Sequence, residues 1–423
     1  MTILILSPFY APYIHPRAHR WTAIAEYWAA SGHRVLVVTA RVHGRPLLEN
    51  LHGVEVRRVG FDSLKGLLVS LAPVLPTRGI PDNRAPEGAG WWWRWLAFLY
   101  QQGWRKLCFP DDALFWRKPA FAAASRIVQT LAVDVVVSVS LPITAHRVGL
   151  DLQTRFRLPW LADVGDPFAA PGWEISNPVL YGMRSRGLEQ RLLGAADGVV
   201  VTGEKLKAWL VQQYGLDRVW VVPPLLHPVP ENDVMPFQQG IKSPYRFGYF
   251  GAFYPLIREP YAMLELFRRF HLGGLDFTLH IYGEPLPGYL SLFKRYHWVQ
   301  VHGLRPREET QRKMSEMDVL VNVGNKNPFL LPSKAVSYLA AERPILHIQD
   351  LSGDAFMDFV APYGRTLRLS PDMPNALQTL LDWLTGAAHS GTLFRTEPFA
   401  VEAVGQAYLR VISHLQKSQR EDA

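Results

Sequence analysis

The sequence predicts an α/β protein built from two Rossmann-like, doubly wound domains that face a central cleft. Three observations carry this. Short apolar runs alternate with helical stretches along most of the chain, without the hairpin signals of an antiparallel sheet, so the sheets are expected to be parallel. The length of 423 residues exceeds one ordinary core and suits two domains of about 200 residues. A proline-rich stretch without periodicity, residues 226–243, divides the chain.

Composition narrows the class. A hydrophobic content of 48% with 19% charged residues is globular. The single cysteine, Cys108, excludes an intramolecular disulfide and fits a reducing, cytoplasmic compartment. The opening MTILILSPFY reads as a buried first strand rather than a secretory signal. No run reaches the roughly 18 apolar residues of a membrane span. The net charge of +8 suits an anionic membrane or a phosphorylated small molecule. It is not gathered into the basic blocks or zinc spacings of a nucleic-acid binder.

In chain order, Ile3–Ser7 is a strand, followed by the loop Pro8–Arg20. A helix from about Ala18 to Ser31 leads to the strand Arg34–Thr39. Ligands bind at the carboxyl ends of such strands, so His15, Arg17, His19 and Arg20 either meet an anionic group or stand as solvated loop residues. Val54–Val59 is the next strand. Residues 62–118 break the alternation, with a proline- and glycine-rich loop over Thr77–Gly90. The tryptophan-rich stretch Trp91–Lys106 then suits either a membrane–water interface or a core helix beneath that loop.

A helix from Pro119 and the buried strand Asp134–Ser140 follow. His146 lies at the entry of the next helix. The apolar run before Asp163 and Asp166 puts these two carboxylates at a strand's carboxyl end, where they serve chemistry or cap the loop. A helix over Leu188–Ala195 and the strands Gly198–Thr202 and Val219–Val222 close a first domain spanning residues 1–225.

Residues 244–395 alternate again. Strands are predicted at Arg246–Phe250, Phe277–Tyr282, Val299–His302, Val319–Val323, Ile345–Ile348 and Thr366–Leu369. Gly251, Gly283, Gly303 and Gly324 follow four of them and let a ligand approach the backbone. In NKNPFLLPSKAVSYLAAERPIL, Ser333 is placed to cap a helix over Lys334–Ala341. That start is either an anion site or an ordinary loop-to-helix connection. Residues 396–423 are expected to cross back and brace the first domain.

Five segments together resemble GT-B glycosyltransferases of the large retaining family 4 type, in a bacterial subgroup, over nearly the whole chain. They are SPFYAPYIHPRAHRWTAIAEYWAASGHRVLVVTA, LPWLADVGDPF, AADGVVVTGEKLKAWL with VWVVPP, YFGAFYPLIREP and LPSKAVSYLAAERPIL. The resemblance implies a metal-independent enzyme that binds a nucleotide-sugar in the second domain and an acceptor in the first. It implies that Gly251, Arg258, Ser333 and Lys334 meet the diphosphate, and that Glu284, after Gly283, lies toward the base or ribose unless it is a solvated turn residue. The family's paired glutamates, eight positions apart, fall at Phe329 and Ser337, which leaves Ser337 to reach the ribose. Asp163, Asp166 and His146 are the candidates for the acceptor-side catalytic group. The tryptophan segment points to a lipid-linked or polysaccharide acceptor and to a peripheral place on the inner face of the plasma membrane. A sugar-nucleotide epimerase and an inactive sugar-nucleotide binder are the alternative readings.

Overall fold

The structure is a computed structural model. It describes the chain apart from residues 14, 65, 67–102, 104–106, 171–176, 227–242, 256, 350–352, 387–393 and 422–423. The predicted loop at Thr77–Gly90, nearly all of the Trp91–Lys106 segment and most of the 226–243 linker lie outside the described residues. The chain divides into two compact units, Met1–Pro223 with Val401–Ala423, and Pro224–Ala400.

The first unit holds an eight-stranded sheet of β1 (Thr2–Leu6), β2 (Arg34–Thr39), β3 (Leu48–Leu51), β4 (Val54–Arg58), β5 (Val135–Ser140), β6 (Trp160–Val164), β7 (Gly198–Val201) and β8 (Val219–Val221). Their order is β3-β4-β2-β1-β5-β6-β7-β8. All neighbours are parallel except β3 and β4. The central strands are apolar throughout because helices cover both faces of a parallel sheet: Ile3–Leu6, Val35–Val38 and Val135–Val137 are fully buried. The helices are α1 (Pro16–Ala30), α2 (Leu114–Thr130), α3 (Thr144–Phe156), α4 (Pro178–Ala195) and α5 (Glu204–Tyr214). Helix α1 starts with Pro16 in its first turn, capped by His15, and buries Trp21, Ile24, Ala25 and Trp28 at helical spacing.

The second unit is a six-stranded, wholly parallel sheet of β9 (Tyr245–Phe250), β10 (Phe277–Tyr282), β11 (Val299–Gly303), β12 (Val319–Val323), β13 (Ile345–Ile348) and β14 (Thr366–Leu369). The order is β11-β10-β9-β12-β13-β14. Its helices are α6 (Tyr261–Leu272), α7 (Pro287–Phe293), α8 (Arg307–Ser315), α9 (Ala335–Ala340), α10 (Ala355–Val360) and α11 (Ala376–Thr385). Strand alternation splits its core in two. Phe247 and Tyr249 pack with Phe267, Phe270 and Leu380 on one face. Phe250 and Tyr282 pack with Met314, Met317 and Tyr338 on the other.

The last helix, α12 (Val401–Glu421), belongs to the first unit. It packs on α1, where the indole N–H of Trp28 donates to the Gly405 carbonyl at 3.1 Å. A Cβ at Gly405 would lie 2.5 Å from the Tyr27 ring, so the helices meet at this depth only because residue 405 lacks a side chain. Tyr408 reaches further in. Its hydroxyl donates to Asp163 Oδ1 at 2.6 Å, and the other carboxylate oxygen accepts from Trp21 Nε1 at 2.9 Å and Arg17 Nη1 at 3.1 Å. Arg20 donates to the Tyr408 hydroxyl at 3.2 Å and to the Pro223 carbonyl at 2.9 Å.

Several elements differ from the sequence reading, each for a local reason. Strand β3 was not predicted. It forms a hairpin with β4 through His52 (φ 49°) and Gly53 (φ 88°), two left-handed residues in a two-residue turn. Helix α4 starts ten residues before the predicted Leu188, at Pro178, where Asn177 accepts from the N–H groups of Val179 and Leu180. Helix α2 runs through Pro119 instead of starting there. Helix α9 begins at Ala335, with Lys334 rather than Ser333 at its cap and no side-chain capping bond. The turn into it is closed by the Ala335 N–H on the Pro332 carbonyl at 3.0 Å.

The Asp163 cluster carries a stability prediction. Asp163→Ala leaves the Arg17 charge buried without its partner and is expected to destabilise the first unit by about 3–5 kcal/mol. Tyr408→Phe keeps the ring and is expected to cost about 1–3 kcal/mol. Both are read from the urea midpoint followed by circular dichroism.

Candidate functional site

In the second unit, three of the four residues expected to meet a diphosphate, Gly251, Arg258 and Lys334, come together with Gly283 at the carboxyl ends of β9 and β10. Gly251 follows β9 at φ 138° and donates to the Tyr282 carbonyl at 2.8 Å. Gly283 follows β10 at φ 141°, and a Cβ there would sit 2.2 Å from the Gly251 carbonyl oxygen. Only glycine fits at residue 283, since the two strand ends cross there with nothing between them.

Lys334 reaches this edge from the cap position of α9. Its ammonium lies 4.2 Å from the centre of the Tyr249 ring and 5.0 Å from that of Tyr338. A Cβ on Gly251 would lie 3.8 Å from it. The ammonium is buried and has no hydrogen-bond partner among the described residues. Burial, seconded by the charge of Arg258, holds its pKa well below the usual lysine value. The two rings offset part of that cost through their negative faces, but a hydrogen-bond acceptor is missing.

Arg258 stands on a tight loop after β9. Tyr254 and Arg258 exchange backbone hydrogen bonds of 2.9 and 3.0 Å, and Arg258 Nε donates to the Ala252 carbonyl at 3.3 Å. Lys326 N–H donates to the Ile257 carbonyl at 2.8 Å, which ties this loop to the one after β12. Gly251, Gly283, Arg258 and Lys334 therefore form one group. Ser333 is exposed and caps nothing. Ser337 is half-buried on α9, and Glu284 is half-buried after Gly283.

The sequence reading missed residues that build this edge. Tyr249 and Tyr338 form the floor beneath Lys334. Their signal was Tyr338 one helical turn after Lys334 and Tyr249 two residues before Gly251. A buried polar chain lies on the neighbouring strands. Asn322 Nδ2 meets His347 Nδ1 at 2.8 Å, His347 Nε2 meets Gln349 Oε1 at 2.7 Å, and Asp354 Oδ2 lies 3.6 Å from the same ring nitrogen. Burial lowers the His347 pKa while Asp354 opposes it. A polar residue within each of two otherwise apolar strands was the available signal.

In the first unit, the predicted residues separate into structural and edge groups. Asp163 is fully buried with both oxygens occupied by Tyr408, Trp21 and Arg17. It belongs to the framework under the sheet edge, in contrast to the open position the sequence suggested. Arg20 is buried and tied to the Pro223 carbonyl and Tyr408, which corrects its reading as a loop residue. Arg17 lies in the first turn of α1. Its guanidinium packs on Gly165 where any Cβ would overlap it, and its Nη2 is buried without a hydrogen-bond partner among the described residues.

His15 accepts the Arg17 N–H at 3.2 Å as the cap of α1. Burial, then the charges of Arg17 and His19, lower its pKa to about 4. His19 is exposed. Asp166 is half-buried; burial raises its pKa and Arg17 opposes the rise.

His146 is buried behind the edge. Trp160 Nε1 donates to Ser138 Oγ at 2.7 Å, and Ser138 Oγ lies 2.7 Å from His146 Nδ1. The indole can only donate, so Ser138 Oγ accepts from it, and His146 Nε2 is buried with no hydrogen-bond partner among the described residues. Burial lowers the His146 pKa to about 3, so the ring stays neutral. Among the described residues, no cluster of His, Cys, Asp and Glu could hold a metal ion.

Comparison with known proteins finds neighbours in structure alone. No family model matches the chain, and no curated protein matches it. Sucrose-phosphate synthase from Thermosynechococcus elongatus superposes with a TM-score of 0.64 at 16% identity, covering 98% of this chain and 100% of that one. Anabaena HepE, solved in complex with UDP and glucose, gives 0.60 at 14% identity, with 98% and 100% covered. A putative UDP-N-acetylglucosamine 2-epimerase from Listeria monocytogenes gives 0.50 at 11% identity, with 100% and 98% covered. At these identities the likeness is one of fold: two parallel-sheet α/β domains of the kind found in GT-B glycosyltransferases.

Proposed function

We propose that the protein is a glycosyltransferase that takes a sugar from a nucleoside-diphosphate donor bound at the carboxyl edge of the second unit. The observation that carries this reading is the buried Lys334 ammonium. It has no hydrogen-bond partner among the described residues, Arg258 stands beside it, and it faces a strand end stripped of side chains at Gly251 and Gly283. A diphosphate oxygen is the acceptor this group lacks. As the bond from the sugar's anomeric carbon to the phosphate oxygen breaks, the leaving diphosphate gains charge. Lys334 and Arg258 stabilise that charge more than the ground state, without a metal ion. Transfer with retention, and an acceptor that is a glycan or a lipid-linked sugar, complete the reading.

A feature of the first unit supports an acceptor presented at an anionic lipid surface. On α4, Val179, Leu180 and Met183 are 91%, 52% and 88% exposed. Helical spacing puts Arg186 on one flank of this apolar arc and Arg184 and Arg191 on the other, all three exposed. No helix among the described residues is long and apolar enough to cross a membrane, so the contact proposed is peripheral.

Three outcomes are expected. In a thermal-shift screen of nucleoside-diphosphate sugars, one donor raises the melting temperature by mass action. Calorimetry with that donor shows affinity reduced about 10- to 150-fold by Lys334→Ala, the worth of one charged hydrogen bond. Product analysis with donor alone, then with glycan and lipid acceptors, identifies transfer; isomerised donor without acceptor identifies the epimerase, and wild-type binding without any product the inactive binder.

The pH dependence has a defined sign. The free-state pKa of Lys334 is depressed and a bound diphosphate raises it, so binding takes up a proton and affinity falls as pH rises through that interval. Calorimetry in buffers of different ionisation enthalpy detects the uptake, and Lys334→Ala abolishes it. For the surface of α4, vesicles rich in phosphatidylglycerol are expected to sediment the protein while phosphatidylcholine vesicles do not. Val179→Glu with Met183→Glu removes the effect.

A further inference from the structure

The doubly wound sheet of the second unit has its topological switch point between β9 and β12. The chain builds outward from β9 to β10 and β11, then returns to the other side of β9 with β12, β13 and β14. On one side, β9 stays paired with β10 as far as Phe250 with Tyr282. On the other, β12 stays paired with β13 as far as Val323 with Ile348. Between β9 and β12, pairing stops earlier, at Tyr249 with Val321.

A side chain fills the place where the ladder stops. The Phe250 N–H donates to the Tyr338 hydroxyl at 3.0 Å, and that hydroxyl donates to the Val321 carbonyl at 2.9 Å. One hydroxyl, with both roles used, bridges the two backbone groups next in line for strand pairing. Interposing an oxygen holds the strands further apart than a direct N–H to carbonyl bond would. The Tyr338 ring is fully buried, edge-on to Phe250 at 6.3 Å and to Phe356 at 6.5 Å. It is therefore clamped by packing, and its hydroxyl has little freedom to leave the bridge.

The same residue seats Lys334. The Tyr338 N–H donates to the Lys334 carbonyl at 2.9 Å across one turn of α9. The Lys334 ammonium rests over the Tyr338 ring and over that of Tyr249, the last β9 residue in the ladder with β12. One side chain thus bridges the strand opening and forms part of the seat of the cation.

We propose that Tyr338 is a positioning residue for the diphosphate site: its hydroxyl wedges β9 and β12 apart at the switch point and so fixes Lys334 over the opening. The proposal rests on the donor-site reading above. Tyr338 touches no ligand atom in this account; it acts through Lys334. Burial also drives the Tyr338 pKa upward, so the hydroxyl stays a donor across the working pH range.

Calorimetric titration with UDP, GDP and ADP in turn tests this on the full chain, using wild type, Tyr338→Phe, Lys334→Ala and the double variant. Tyr338→Phe keeps the ring and its packing. It is expected to fold, by circular dichroism, and to weaken binding of the nucleotide that wild type prefers by about 10- to 100-fold, the scale of a misplaced binding group. In the Lys334→Ala background it is expected to add nothing further, because its effect runs through that cation.

Full affinity in folded Tyr338→Phe, or losses that multiply in the double variant, overturns the wedge and leaves the donor-site reading standing. No binding of any nucleotide or nucleotide sugar by wild type overturns both. Amide hydrogen exchange in wild type gives a second measurement that needs no variant. Bound nucleotide is expected to slow exchange at Phe250 more than at Phe247, within the ladder. Equal change at the two overturns the proposal, whether or not Tyr338→Phe folds.

Discussion

An ammonium group buried without an acceptor is an arrangement that folding alone does not favour. Taking a lysine out of water costs several kcal/mol unless something answers its charge, and at Lys334 two aromatic faces supply only part of the answer. The charge of Arg258 adds to that cost. Gly251 and Gly283 leave the strand ends bare, the Arg258 loop is pinned by backbone bonds, and Tyr338 holds the floor. In the proposed function, an anion between Lys334 and Arg258 would offset that cost, because charged hydrogen bonds are strongest where water is excluded.

The first unit solves the opposite problem. Its buried charge, Asp163, is satisfied on both oxygens by three donors from α1 and α12. Both its oxygens are engaged by these donors. Its work is to join the ends of the chain: α1 follows the first strand, α12 is the last helix, and they meet on β6 through one side chain. The two carboxylates that look alike in LADVGDPF therefore divide. Asp163 is framework, whereas Asp166, three residues later, stands half-buried beyond the strand beside Arg17.

Much of the fold was legible because parallel strands buried on both faces must be apolar along their length. Runs such as ILIL, RVLVVT and DVVVSVS left no other reading. The misses share a cause: the deciding signal was short. The hairpin of β3 rests on His52-Gly53, and the early start of α4 on Asn177-Pro178. Two residues of turn or cap chemistry are easily outweighed by the periodicity around them. In the candidate site, glycines after strands and a lone lysine at a helix start were visible. The tyrosines beneath that lysine were not, since aromatic residues in a strand or helix read as core.

The sequence by itself determined the alternation of strands and helices and the number of sheets, because periodicity is a local property. Only the tertiary structure decided which charges were paired. Arg17 and Asp163 are 146 positions apart and Asp163 and Tyr408 are 245 apart, and no local pattern encodes that closure. The same holds for Lys334. That its ammonium lacks a hydrogen-bond partner among the described residues could be seen only once the side chains around it were placed.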